Sequence, residues 1–407
     1  GGHDAGGAGF EGGTFDGGGA GESAPGDASP GDASDGGKPA TDGGSGPAAP
    51  APGTCVPTGS MSTGRTFSLY ATLPGGKVLV AGGDTAAAST TAEVYDPATG
   101  TFAPTGSLSA PRWGYPNPLV TLPNGRLLVA GGTDLACSTA VSSAETFDPT
   151  SGTWSPTGAL GVGRFNPVTI ALGDGRVLVR GGYGTLSGTC GVTTSNALTS
   201  AELYDPTAGT FAPAGDAATP RAAAASVLLP GGGALIVAGE QYGNSPFNAT
   251  AEVFGTGADG GTGFVWSGAL PGTAGYGYAY VLPDGKALVN SAYAGGTTSY
   301  FDPSTDTFST APADPISGGG GCGVRLKSGD VFLATGWSAG PTALTEVFQS
   351  SSGTWVATGT LSTARSVCSM AELPDGNVLV AGGYDTTGTP LATAEVCNPQ
   401  PSTTPGG

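Results

Sequence analysis

The chain has 407 residues, with 31 Asp and Glu against 13 Lys and Arg and a formal net charge of −18. So acidic a surface repels phosphate backbones and anionic headgroups, which argues against nucleic acid or a lipid surface as partner. No apolar run approaches the ~18 residues that span a bilayer, and Gly 77 with Pro 33 points to a chain organised by turns.

Residues 1–53 carry Asp4, Glu11, Asp16, Glu22, Asp27, Asp32, Asp35 and Asp42 against the single cation Lys38. Almost nothing in this stretch can be buried to offset about 1–2 kcal/mol of backbone entropy per residue. It is expected to be a flexible, self-repelling linker, followed by a folded domain over 54–399 and a short tail over 400–407. The sequence begins with Gly1 rather than Met. The expectation is an exported protein, with a lipidated cysteine just before Gly1 as one route to a membrane tether.

One phrase then recurs seven times: LPGGKVLVAGG (73–83), LPNGRLLVAGG (122–132), LGDGRVLVRGG (172–182), LPGGGALIVAGE (229–240), LPDGKALVNSA (282–292), LKSGDVFLATG (326–336) and LPDGNVLVAGG (373–383). The copies lie about 44 to 57 residues apart, the period of β-propeller blades. Strand a precedes each phrase, as in Phe67 to Leu73. A tight Gly-containing turn leads into the apolar strand b, and the doublet Gly82-Gly83 or its counterpart ends it. Strand c is the second recurring phrase, AEVYDP (92–97), AETFDP (144–149), AELYDP (201–206) and their variants. A DPxTG turn leads into strand d, as in TFAPTGSL (101–108). Blade 7 lacks a strand d of its own, and TCVPTGSM (54–61) matches the missing piece. The prediction is an all-β, seven-bladed propeller of four-stranded blades whose N-terminal strand closes the last blade and removes the free sheet edges.

The Gly doublet after an apolar strand, the Tyr or Phe of strand c and the aromatic of strand d resemble kelch repeats over 54–399. Blades 4 to 6 depart most, with Gly239-Glu240, Ser291-Ala292 and Thr335-Gly336 in place of the doublet. The repeat alignment sets Cys55 beside Cys397 in the closing blade, Cys137 beside Cys190 in the b–c loops of blades 2 and 3, and Cys322 beside Cys368 on strands a of blades 6 and 7. Three disulfides in that pairing would place the protein in an oxidising compartment; six buried thiols are the alternative.

His3, in the linker, is the sequence's only histidine. This removes Ser–His and Cys–His catalysis and His-ligated zinc or copper from the repeats. Galactose oxidases share the kelch architecture, but the resemblance implies a copper centre with two histidines, which this chain cannot supply. No cofactor or metal is expected. Carboxylate-only catalysis stays open, with Asp84, Asp134, Glu240 and Asp385 just after strand b as candidate acids.

In such a blade the a–b and c–d turns share one face. The b–c and d–a connections share the other, where the loops are long and all different. Tyr183, Tyr242, Phe247, Trp337 and Tyr384 gather there. Arg65, Arg112, Arg164, Arg221 and Arg365 open strand a on the same face, and Glu93, Glu145, Glu202, Glu252, Glu346 and Glu395 open strand c. Two readings stand: free guanidinium groups that take a carboxylate ligand, or Arg–Glu pairs that bind the blades together. Arg112, followed by Trp113 and Tyr115, is expected to be the free one. Asn248-Ala-Thr250 forms a glycosylation sequon.

The expected function is recognition, without catalysis, of a glycan or an extracellular protein through the loop-rich face, by a protein outside the cell or on its surface. A self-assembling subunit of a fibre or surface layer, and a carboxylate-dependent glycan-active enzyme, are the alternatives.

Overall fold

In the computed structural model the chain separates into two units, Gly1–Ser45 and Gly46–Gly407. The residues the structure describes all lie in the second: 49–114, 119–133, 139–184, 197–241, 247–256, 262–272, 277–291, 297–316, 321–334 and 341–401.

Their regular structure is entirely β, in seven four-stranded antiparallel sheets. Blade 1 shows the plan, with strands a (Leu69–Thr72), b (Val78–Ala81), c (Ala92–Asp96) and d (Thr101–Pro104). Strands a of blades 2 and 3, 3 and 4, 4 and 5, 6 and 7, and 7 and 1 approach one another around the axis. There Ser68 and Ser369 share a buried 2.9 Å hydrogen bond between hydroxyls.

The ring closes as expected. Cys55–Pro57 pairs with Ala394–Cys397 in the register Cys55↔Cys397, Val56↔Val396 and Pro57↔Glu395. The Cys55–Cys397 and Cys322–Cys368 disulfides are both formed. The 137–190 pair lies outside the described residues.

Strand b carries the core. Val78, Leu79, Val80 and Ala81 are all buried, as are their counterparts in blades 2, 3, 4, 6 and 7, because each sheet packs between two neighbours. The turns on the a–b and c–d face use local polar chemistry. Asn124, Asp174, Asp284 and Asp375 accept the N–H two residues on, and Asp96, Asp148, Asp205 and Asp302 do the same before strand d. The Thr-Gly pairs after strand d join neighbouring blades at this end. Gly59, Gly106 and Gly158 donate to the carbonyls of Gly100, Gly152 and Gly209 at 2.8–2.9 Å.

Two details differ from expectation. In blade 4 the doublet is Ala238-Gly239, both in left-handed backbone, so Glu240 stands where blade 1 has Asp84. Asn248, the sequon residue, is buried and its amide donates to Pro220 O, so it presents no free nitrogen for a glycan.

Candidate binding site

The loop-rich face is built on buried guanidinium anchors. Arg65 Nη1 donates to the carbonyls of Gly82 (3.0 Å) and Thr91 (2.9 Å), while Nη2 donates to Thr91 Oγ1 (2.8 Å) and Glu93 Oε1 (2.9 Å). Arg112, Arg164, Arg221 and Arg365 repeat this in their blades, ending on Glu145, Glu202, Glu252 and Glu395. Each glutamate also accepts a backbone N–H from the segment entering the blade, at Ser62, Ser109, Gly161, Thr219 and Ser362. One side chain thus ties the d–a segment, the end of strand b and the start of strand c together. Loss of hydration pulls Arg112, Arg221 and Arg365 below the ordinary guanidinium value, yet all stay charged.

Arg112, expected at the rim as a ligand-binding cation, is 1% exposed, and its donors go to Glu145, Gly131 O, Ser143 O and Ser143 Oγ. Its displaced position in the sequence reflects a longer segment before strand a. The five repeating arginines therefore leave no free guanidinium for a carboxylate ligand.

The sequence carries a signal for this network. The residue two before each paired glutamate is Thr91, Ser143, Ser200, Thr250 or Thr393. Its carbonyl and hydroxyl both accept from the arginine. Blade 6 has Leu344 there and lacks the arginine as well. The Gly doublet belongs to the same device. A Cβ on Gly131 would lie 2.6 Å from Arg164 O, and one on Gly82 2.3 Å from Arg112 O, because the next blade's arginine backbone runs against this position. Blade 5 has no such arginine, and the blade before it tolerates Ala238.

Past the doublet, the chain adds one rung at the mouth of the ring. Phe165 and Tyr183 exchange two backbone hydrogen bonds, as do Ala222 with Glu240 and Ser366 with Tyr384. The next residues, Phe67, Asn166, Ala223 and Val367, have φ of 50°, 52°, 49° and 55°. That left-handed turn costs a non-Gly residue about 1–3 kcal/mol. It ends the rung and starts strand a at Leu69 rather than Phe67.

The rung fixes which side chains meet across the seams. The Tyr384 hydroxyl of blade 7 donates to Asp84 of blade 1, which also accepts from Thr66 Oγ1. The Tyr183 hydroxyl of blade 3 donates to Glu240 of blade 4. An aromatic arc runs beside them: Tyr384 to Phe67 (5.9 Å between ring centroids), Phe67 to Trp113 (5.5 Å) and Trp113 to Phe165 (4.8 Å). Burial raises the Asp84 carboxyl above the usual range in spite of its hydrogen bonds, and raises the Tyr384 phenol. Phe67, Tyr384, Asp84 and Glu240 remain partly exposed, while Trp113, Phe165 and Tyr183 back them from below.

Of the other expected rim residues, Phe247 packs against the apolar cluster between blades 4 and 5. Asp385 lies in an exposed turn, where it accepts from Thr387 and Thr389; those bonds hold its carboxyl below the usual range. Tyr115, Asp134, Tyr242 and Trp337 lie outside the described residues. A wider cavity of about 780 Å³ opens among the strands a at the opposite end, lined by Tyr70, Thr121, Arg325, Lys327, Met370 and Glu372.

A kelch motif family profile matches residues 116–160, a range that contains the four strands of blade 2. Comparison with curated protein sequences finds no match. Among solved structures, the chain is similar to a fungal alcohol oxidase of the AA5 family in complex with copper: 15% identity, 86% of this chain and 76% of that one, TM-score 0.63. It is also similar to YjhT, at 13% identity, 82% of this chain and 95% of that one, TM-score 0.52. At these identities the likeness is one of fold. An imidazole-bound copper does not fit this chain, since His3 is its only histidine, and among the described residues no three His, Cys, Asp or Glu gather to hold a metal. Seven four-stranded blades make the chain a seven-bladed β-propeller, and a kelch motif is matched over its second blade.

Proposed function

We propose that the protein is an extracellular recognition scaffold that binds a glycan at the loop-face mouth. The observation that carries this is the arc across blades 7, 1, 2, 3 and 4, where the partly exposed rings of Tyr384 and Phe67 stand beside Asp84, and where Asp84 and Glu240 are each held by a tyrosine of the preceding blade. Sugar rings offer C–H faces to aromatic rings and hydroxyl donors to fixed carboxylate acceptors. Acceptors already oriented by a phenol need little further ordering on binding. The arginine anchors beneath hold the mouth rigid, as a scaffold of variable loops requires. Two disulfides within the propeller suit an oxidising environment.

Binding of the full chain to an array of immobilised glycans tests the reading. A selective set of glycans is expected, with binding reduced roughly tenfold by Asp84→Asn or Glu240→Gln, about the value of one hydrogen bond to a charged group. Capture of polypeptides but no glycan, or glycan binding untouched by both changes, contradicts it.

A further inference from the structure

Blade 6 keeps a strand c glutamate but not the arginine that pairs with it in blades 1, 2, 3, 4 and 7. On strand c of blade 6, Glu346 is fully buried, and neither of its carboxyl oxygens meets a hydrogen-bond donor. Its counterpart in blade 4, Glu252, holds two guanidinium groups: Arg221 from its own blade at 3.5 Å and Arg180 from strand b of blade 3 at 2.7 Å. Both positions are empty of charge around Glu346. The position equivalent to Arg180 is Asn290, and no arginine occurs between residues 302 and 324 to take the place of Arg221.

A second carboxylate sits there instead. Asp314, 7% exposed, faces Glu346 and accepts from Asn290 Nδ2 at 2.7 Å and from Ile316 N at 2.8 Å. Two buried carboxylates side by side, with no cation, are costly. The neutral groups around them are also oxygen donors without partners. Asn290 is 2% exposed and its Oδ1 meets no donor. Thr298 is 1% exposed with an unpartnered Oγ1, and lies directly across the b–c ladder from Asn290, so both side chains leave the same face of the sheet. Buried polar atoms left unpaired as a group call for a missing water or ion.

We infer that the blade 5–6 seam is a binding site for a hard divalent cation of the calcium type, held by Glu346, Asp314, Asn290 Oδ1 and Thr298 Oγ1. An all-oxygen set with two carboxylates neutralises such an ion and leaves room for water in a coordination shell of 6–8. The ion does at this seam what a guanidinium does at the others. The site lies between the sheets, apart from the glycan-binding residues.

The test uses the full chain stripped with chelator and titrated with CaCl2, read by calorimetry and by thermal melting. One tight calcium per chain is expected, with the melting midpoint raised by about 4 °C at a calcium level one hundred times Kd. Glu346→Gln, which keeps shape and removes charge, is expected to fold, to lose that binding at least tenfold and to melt independently of calcium. Thr298→Val is expected to weaken binding without abolishing it. A stripped, folded wild type that shows neither heat nor a shift at millimolar calcium overturns the site, and so does binding equally tight in wild type and Glu346→Gln. The first result would mean that Glu346, whose carboxyl is pushed up to about 10 by burial and by Asp314, carries a proton instead; the second would place the calcium elsewhere.

Discussion

Removing the closure disulfide by Cys55→Ser with Cys397→Ser is expected to be the costlier of two disulfide deletions. The bond spans 342 residues of sequence and Cys322–Cys368 spans 46. The entropy a crosslink takes from the unfolded chain grows with the logarithm of loop length, giving about 6 kcal/mol for the longer loop and about 4 kcal/mol for the shorter. A propeller of about 350 residues unfolds with an entropy near 0.7 kcal/mol/K, so the midpoints should fall by about 8 °C and about 5 °C. What remains of the closure is a three-residue strand paired at three positions with the strand Ala394–Cys397, where strand d of blade 1 is paired at four. Calorimetric melts of the two double variants under non-reducing conditions measure the difference. The reasoning is refuted if deletion of the 322–368 pair lowers the midpoint as much as, or more than, deletion of 55–397.

Three further outcomes follow from the seams and the mouth. Glu145→Ala leaves Arg112 buried without its carboxylate and should cost about 3–5 kcal/mol in urea unfolding, whereas Asp148→Ala, which removes the solvent-facing partner of Arg126 and the acceptor of Thr150 N, should cost only about 1 kcal/mol. Gly131→Ala should destabilise more than Gly125→Ala: φ is 79° and 80° at the two sites, but only the first Cβ meets the next blade's arginine carbonyl. The folded-state value of Asp84 is raised from 3.8, so the stability linked to its protonated form is present in full below that value and is lost as pH rises through the folded value. Melts between pH 3 and pH 7 should therefore show a downward contribution in wild type that Asp84→Asn removes.

The ring, the closure and the two described disulfides were legible because each is written in repeats. Seven copies of one phrase set the blade count, and TCVPTGSM is a strand d out of place. The Arg–Glu pairing could be framed from spacing but not decided, since an arginine at the mouth and one beneath it look the same in sequence. The Thr or Ser two before each glutamate was the residue that distinguished them. The mouth was harder to read. Asp84 and Tyr384 lie 300 residues apart and meet only because the ring closes, and Phe67, read as the first residue of strand a, stands in the left-handed turn before it. Trp113 and Phe247, aromatic and set near loops, turned out to be packed. Glu346 was legible as a glutamate without its arginine, but Asp314 reaches it only through the fold.

The central claim is that the mouth on the b–c and d–a face takes the ligand. A hydrogen-exchange footprint with a glycan selected from the array tests it most directly, because protection reports which end of the channel is covered. The account expects slowed exchange at 65–67, 83–84, 112–114, 183 and 240 and around Tyr384, with no change at the a–b turns. Protection confined to the opposite end, at 74–76, 325–327 and 372–374 around the 780 Å³ cavity, would contradict it.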